Sequence, residues 1–483
     1  MTFSDHDCFL IKSFWEKVMC PIRMKDLASN REPLPNPYSG ARTAFESDHD
    51  RILFSTPFRR LIDKTQVFPL EKKYDTIRRR LTHSYEVSSL ARSFGNDLVF
   101  NSPELFPDSI IPQRNVPVVL AAIGLVHDMG NPPFGHEGES AIQYWFHCRM
   151  KEDDGFFNSF TEQQKQDFLK FEGNAQTVRI VSHLQVLNDL FGLNLTIGTL
   201  SALLKYVVPS DKVNKKEDLA KGKFGYFSSE RPVVEQMEIY TDLVEQRNPL
   251  TYIMEACDDI AYSVLDIEDA VKKGVISYAD IISYLKSENE KQSDEYIIEL
   301  IERSSKDYGN YSGIDELSYH ELNDIAMVKF RVYAINILMQ SARKAFADNY
   351  LSIIKGEFKS DLLQVCTAAR LSKVLKTFCY KHIYRNRDVL GLELQGFNTI
   401  TGLLDIFWDA INDCEDNGNL ASPYSKYVFE RISENYRRVF HHAVSKGELP
   451  QSYCRMQLMT DMLAGMTDTY AVTTLEDLRK RKS

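Results

Sequence analysis

Residues 116–139, VPVVLAAIGLVHDMGNPPFGHEGE, constrain the fold of this 483-residue chain more than any other stretch. An apolar run over 116–126 stops on His127-Asp128. Apolar residues on nearly every face predict a central helix surrounded by other helices. The run is far shorter than the ~20 residues needed to cross a bilayer. Gly130 stands where a left-handed residue would end the helix, and Pro132-Pro133 cannot continue it. Adjacent helical side chains point about 100° apart, so neighbours rarely share a partner. At a frayed end that opens on a cavity, both can converge on one ion. A lone ionised aspartate in such company costs several kcal/mol, which a divalent cation offsets.

Helical periodicity dominates the rest of the chain. In 83–99, Val87, Leu90, Ala91, Phe94 and Leu98 form one stripe at three- and four-residue steps. Similar stripes run through 251–272, 295–303, 327–347, 361–380, 399–412 and 425–445. Glycine (22) and proline (17) fall below the usual ~7% and ~5%, which favours long regular elements. Together these predict an all-α fold with at most a small β-hairpin. Loops are expected at 29–40, 101–115, 150–165 and 208–230. The last carries Lys212, Lys215, Lys216, Lys221 and Lys223, which read as a solvated insert or as a flap that touches an anion.

The net charge of −10 excludes a protein whose main task is to coat nucleic acid, and leaves room for local basic patches. Eight scattered cysteines without a CxxC pair predict reduced thiols rather than a disulfide framework. The first residues, MTFSDHDCFLIKSFW, lack the basic and apolar regions of a signal peptide. A soluble, cytoplasmic protein is expected.

Two further segments bear on His127-Asp128. His83, in RRRLTHSYEV, opens an amphipathic helix near its apolar stripe. In YIMEACDDIAYSVLDIEDA, Asp258, Tyr262 and Asp266 follow one another at one-turn steps on one face of an apolar helix, while Asp259 and Asp269 flank them and are expected at the surface. His83, His127, Asp128 and Asp258 make a set of two imidazoles and two carboxylates. That set suits Mn, Fe or Mg and leaves positions for water or phosphate oxygens. It lacks the thiolates of a structural zinc site.

RRRLTHS, LVHDMGNPPFGHEGE, FEGNAQ and MEACDDIAYSVLDIEDA resemble the bacterial dGTP triphosphohydrolases of the HD superfamily, especially the longer, Escherichia-type subgroup. The resemblance extends through RRLIDKTQVFPLE, LLKY at 203–206, LELQGF at 392–397 and GMTDTYA at 465–471. It implies an HD-domain helical core over 51–275, an N-terminal arm over 1–50, and C-terminal helices over 276–483 that complete the nucleotide pocket and oligomer contacts. It implies one-step hydrolysis of dGTP, or of dNTPs more broadly, to deoxynucleoside and inorganic tripolyphosphate.

By the same resemblance, His83, His127, Asp128 and Asp258 hold a divalent metal (Mn²⁺ or Mg²⁺, with Fe and Co as alternatives), and His136 with Glu139 form the acid–base pair. Asn174, Lys205 and Tyr206 meet the triphosphate, Gln66 and Asp266 read the 3′-hydroxyl, Tyr262 packs beneath the sugar, and Glu393 meets guanine. A dimer-based homo-oligomer, up to a hexamer, and single-stranded DNA as activator are implied partners, the latter confined to patches such as Arg78–Arg80. The competing readings are an HD phosphodiesterase or phosphohydrolase on another nucleotide, disfavoured by the lack of a GYP segment, and a non-catalytic nucleotide sensor, which has no use for an acid–base pair.

Overall fold

The computed structural model of the protein describes residues 4–28, 41–68, 76–152, 154–185, 190–311, 317–413 and 421–482. The expected loop at 29–40 lies outside them. Within them the fold is all-α. No strand forms, and backbone pairing outside helices reduces to the isolated bridges Arg23–Thr196, Thr65–Arg79 and Pro209–Tyr226, so the small hairpin does not appear among the described residues.

Nine helices position the site: α1 Arg80–Asn101, α2 Pro112–Val126, α3 His136–Glu152, α4 Gly173–Arg179, α5 Pro249–Lys272, α6 Ala369–His382, α7 Arg387–Asn412, α8 Gln451–Ala464 and α9 Asp468–Lys482. The apolar run becomes α2, started by Pro112 at a position that needs no amide hydrogen. Every residue from Val116 to Val126 except Val118 is buried, as expected for the central helix. It lies against α1 so closely that a Cβ on Gly124 would sit 2.7 Å from Ser88 Cα. Helix α5 starts on Pro249, with the Asn248 side chain accepting from Leu250 N–H at 3.0 Å, and is buried along most of its length.

Gly130 departs from expectation. Its φ is not left-handed, and His127 continues the right-handed helical conformation at φ −53°. Glycine is required there for close approach: a Cβ would stand 2.2 Å from both Gly173 O and Thr177 N of α4. The left-handed residues come later, at Phe134 (φ 65°) and Gly135 (φ 60°), directly before α3.

The segment 150–165 is not a loop. Helix α3 runs on to Glu152, a short helix covers Asp154–Phe157, and another spans Glu162–Leu169 behind a Thr161–Gln164 capping box. In 101–115, two 3₁₀ turns lead into α2. In 208–230, short 3₁₀ turns alternate with extended chain.

The C-terminal helices are pinned to the turn that follows α2. Lys64 Nζ donates to Asn131 O at 2.5 Å and to Ala464 O at 2.6 Å. Asp468 accepts from the Thr65 and Phe134 amides, both at 3.0 Å. Burial, helped by the nearby Arg80 charge, pulls the Lys64 ammonium down to about 7. None of the helices among the described residues is long and apolar enough to cross a membrane.

Candidate active site

Helices α1, α2 and α5 deliver four side chains to one point. His83 comes from the first turn of α1, His127-Asp128 from the end of α2, and Asp258 from the middle of α5. His83, His127 and Asp128 present potential ligand atoms within 4.8 Å of one another. Asp258 Oδ1 stands 3.0 Å from His83 Nε2 and 3.4 Å from His127 Nε2.

The donor set fits a divalent ion. His127 Nδ1 lies 2.8 Å from the Gly124 carbonyl, which can only accept, so Nδ1 donates there and Nε2 points at the cluster, where a bound cation would replace its proton. That Nε2 is buried and has no hydrogen-bond partner. Burial pushes the His127 imidazole down, but Asp128 and Asp258 outweigh it and lift it to about 9. Burial would raise Asp258, yet His127, His83 and Lys205 hold it well below the usual carboxylate range. Asp128 is likewise held low against burial, chiefly by Arg80 and His127. Both carboxylates thus stay ionised despite burial, each beside a cation, Arg80 at Asp128 and Lys205 at Asp258.

Above it opens a cavity of about 490 Å³ whose lining includes Gln66, Arg80, His127, Asp128, His136, Asn174, Lys205, Tyr206, Asp258, Tyr262 and Glu393. Gln66 Oε1 and Arg80 Nε are also buried without partners. A larger cleft of about 1170 Å³, between α6 and the helix Tyr278–Lys291, holds no such cluster among the described residues. Volume alone does not mark the chemistry.

His136 is the first residue of α3, exposed toward the cavity, with Nδ1 3.3 Å from Glu139 Oε2. Glu139 is buried behind it, and its other oxygen accepts from Gly173 N–H at 2.8 Å. The Glu139 carboxylate raises the His136 imidazole; burial raises Glu139 itself, but His136 brings it below its ordinary value.

The substrate-binding residues expected from the sequence gather less uniformly. Lys205 Nζ stands 3.7 Å from Glu255 and 3.9 Å from Asp258 Oδ2, and Tyr206 shares the wall. The Asn174 amide is tied to Glu172 at 2.7 Å. Glu393 is half-buried, raised by burial and then by Glu137. Tyr262 lines the cavity with its ring centroid 5.6 Å from that of Tyr384. Asp266 is not on the cavity wall. It is fully buried behind it and accepts from Tyr384 OH at 2.6 Å.

Several expectations fail. Asp269 is buried and holds Arg78, and Asp259 forms part of the cavity wall and pairs with Lys376 at 2.6 Å. Arg78–Arg80 is no surface patch, because Arg78 is buried against Glu86, Glu268 and Asp269, and Arg80 against Asp128. Of the lysine insert, Lys223 alone reaches the cavity, where it pairs with Glu172 at 2.6 Å.

Glu172 and Tyr384 line the cavity without having been singled out from sequence, and Arg80 and Lys223 were named only within a basic patch and a lysine insert. Arg80 lies three residues before His83, on the same helical face, which was a usable signal. Tyr384 follows α6, far along the chain, and carried none.

This arrangement defines an HD-domain hydrolase, and residues 80–184 match the HD domain family model. That span holds every cluster residue except Asp258. The chain is 36% identical over 471 residues (95% of this chain, 97% of the relative) to a deoxyguanosinetriphosphate triphosphohydrolase-like protein of Listeria monocytogenes. It is 32% identical over 478 residues (88% and 92%) to the deoxyguanosinetriphosphate triphosphohydrolase of Klebsiella pneumoniae, and 30% over 513 (94% and 98%) to that of Yersinia pseudotuberculosis. The chain belongs to the deoxyguanosinetriphosphate triphosphohydrolase family and is a dNTP triphosphohydrolase-type enzyme.

Proposed function

We propose that the protein hydrolyses dGTP in one step to deoxyguanosine and inorganic tripolyphosphate, with His83, His127, Asp128 and Asp258 holding one divalent ion, Mn²⁺ or Mg²⁺. Bound there, the ion supplies Lewis-acid polarisation of the α-phosphate. The observation that carries the reading is the convergence of these four side chains, with His127 Nε2 unpartnered, at a cavity that His136 also faces.

A water oxygen attacks the α-phosphorus, the bond to the 5′-oxygen breaks, and that oxygen gains a proton. His136 and Glu139 manage these proton movements: Glu139, fixed by Gly173, orients the imidazole and keeps it protonated to higher pH than a free histidine. Lys205 and Tyr206, with Asn174, meet the triphosphate as an ammonium, a hydroxyl and an amide. Gln66 and Asp266 serve the 3′-hydroxyl, Asp266 through its contact with Tyr384. Tyr262 closes the space a 2′-hydroxyl would need, and Glu393 accepts from the two donors on guanine's pairing edge. In this reading 51–275 is the metal and catalytic core. The region 276–483 builds the nucleoside end with Tyr380, Tyr384, Val389 and Glu393.

Homo-oligomerisation is supported by the exposed Phe54 and Ile62, and a cytoplasmic location by the free thiols of the described cysteines. Any response to single-stranded DNA must use a surface other than Arg78–Arg80.

Phosphorus NMR of a reaction with Mn²⁺ and dGTP tests the proposal. Tripolyphosphate with deoxyguanosine is expected; dGMP with pyrophosphate, or dGDP with phosphate, overturns it.

A further inference from the structure

We infer that Arg80 and the divalent ion compete for Asp128, which makes metal binding and triphosphate binding a linked pair; this rests on the triphosphohydrolase reading above. Arg80 is the first residue of α1, its backbone N–H held by Lys64 O at 3.1 Å. Its Nη1 donates to Asp128 Oδ2, the same oxygen that lies 3.5 Å from His127 Nε2. The other oxygen, Oδ1, accepts from Asn131 Nδ2 at 2.6 Å. The guanidinium therefore occupies the side of Asp128 that faces the imidazole cluster, and a divalent ion coordinated there stands against a fixed positive charge.

Asp258 repeats the pattern with Lys205, 3.9 Å away. Asp128 and Asp258 each already face a cation, although Lys205 also stands 3.7 Å from Glu255, so a divalent ion at the cluster lies against two fixed positive charges. A triphosphate relieves that repulsion. Arg80 is built to change partners: its Nε is buried without one, and the side chain lines the cavity. Gly135, at φ 60°, leaves space where a Cβ would stand 2.6 Å from Nη2. Phosphate oxygens are acceptors that satisfy such a guanidinium on two edges at once. Asn131 keeps Asp128 oriented once the guanidinium leaves.

The test measures Mn²⁺ affinity by the electron paramagnetic resonance of free Mn²⁺, without nucleotide, for the full-length wild type, Arg80→Gln, Arg80→Met, Arg80→Lys and His127→Ala. Loss of one charge this close to a divalent ion is expected to tighten Mn²⁺ binding roughly tenfold in both uncharged variants, with Arg80→Lys near wild type and His127→Ala unable to bind. Calorimetric titration of inorganic tripolyphosphate in excess EDTA is expected to show at least ~10-fold weaker binding in the uncharged variants. Unchanged or weaker Mn²⁺ binding in a folded uncharged variant overturns the inference. In that event, wild-type uptake that His127→Ala abolishes leaves the triphosphohydrolase reading standing. No uptake by the wild type sinks both.

Discussion

Arg179 and Arg80 are both buried guanidiniums beside carboxylates, one outside the lining of the cavity and one on its wall. Arg179 donates to Asp461 through Nε and Nη2, both at 2.7 Å, and to Glu230 through Nη1 at 2.8 Å. Gln176 adds a donor to Asp461 at 2.9 Å, and Ser229 one to Glu230 at 2.7 Å. Every nitrogen of the Arg179 guanidinium has its partner, Gln176 Oε1 is the cluster's one buried acceptor left over among these groups, and none of the cluster's residues lines the cavity. Around Arg80, by contrast, its own Nε, His127 Nε2 and Gln66 Oε1 are buried and unpaired, and all three residues face the same open volume. Buried charge by itself marks structure as readily as function. Unsatisfied polar atoms that share a cavity mark a ligand.

Four substitutions test that contrast. The largest effect is expected from His127→Ala. It should abolish Mn²⁺ uptake and lower kcat/KM at least ~10³-fold, since several kcal/mol of transition-state stabilisation are at stake. The thermal midpoint should stay close to wild type, because the cluster contributes function rather than stability. A large loss of stability would erase the distinction. Arg179→Met should do the opposite, leaving Asp461 and Glu230 buried without their cation at a cost of about 3–5 kcal/mol by urea unfolding, with Mn²⁺ affinity unchanged in the folded fraction.

Gly130→Ala comes third. Its Cβ would press on backbone at 2.2 Å from two directions, so a loss of roughly 1–3 kcal/mol is expected, together with weaker metal binding as the turn below Asp128 shifts. The smallest effect is local. Glu139 raises the His136 imidazole, so Glu139→Gln should lower its titration point, read by NMR of the ring protons. Any limb of the pH–rate profile that follows this imidazole moves to lower pH with it. Mn²⁺ affinity should be spared.

The same contrast explains what the sequence disclosed. Residues 127–139 were legible because the constraint is local. An apolar helix that ends on His-Asp has few places to send them, and His136 and Glu139 are three residues apart on one helix. His83 and Asp258 followed from helical faces and chemistry, and the four side chains do converge. The far side of the cavity was harder, because Gln66, Tyr262 and Glu393 arrive from three separate regions and meet through packing alone. Asp266 sits on the predicted face of α5, but whether it reaches the cavity depends on Tyr384, which no spacing announces.

Long-range charge pairing also misled. Asp269 reads as exposed until Arg78, almost two hundred positions earlier, is brought against it. The helices within 150–165 were missed although the capping signature at Thr161–Gln164 was present, because Asp, Gly and Asn residues nearby suggested turns. Gly130 reads as a left-handed helix end and is not one: the neighbouring helix, invisible in sequence, presses on it instead.

The central claim is that His83, His127, Asp128 and Asp258 form one divalent-ion site. Anomalous diffraction from crystals soaked in Mn²⁺ tests it most directly. The account predicts a single strong peak within bonding distance of His83 Nε2, His127 Nε2 and carboxylate oxygens of Asp128 and Asp258. Saturating Mn²⁺ with no peak there, or with an ion bound only elsewhere, would contradict it.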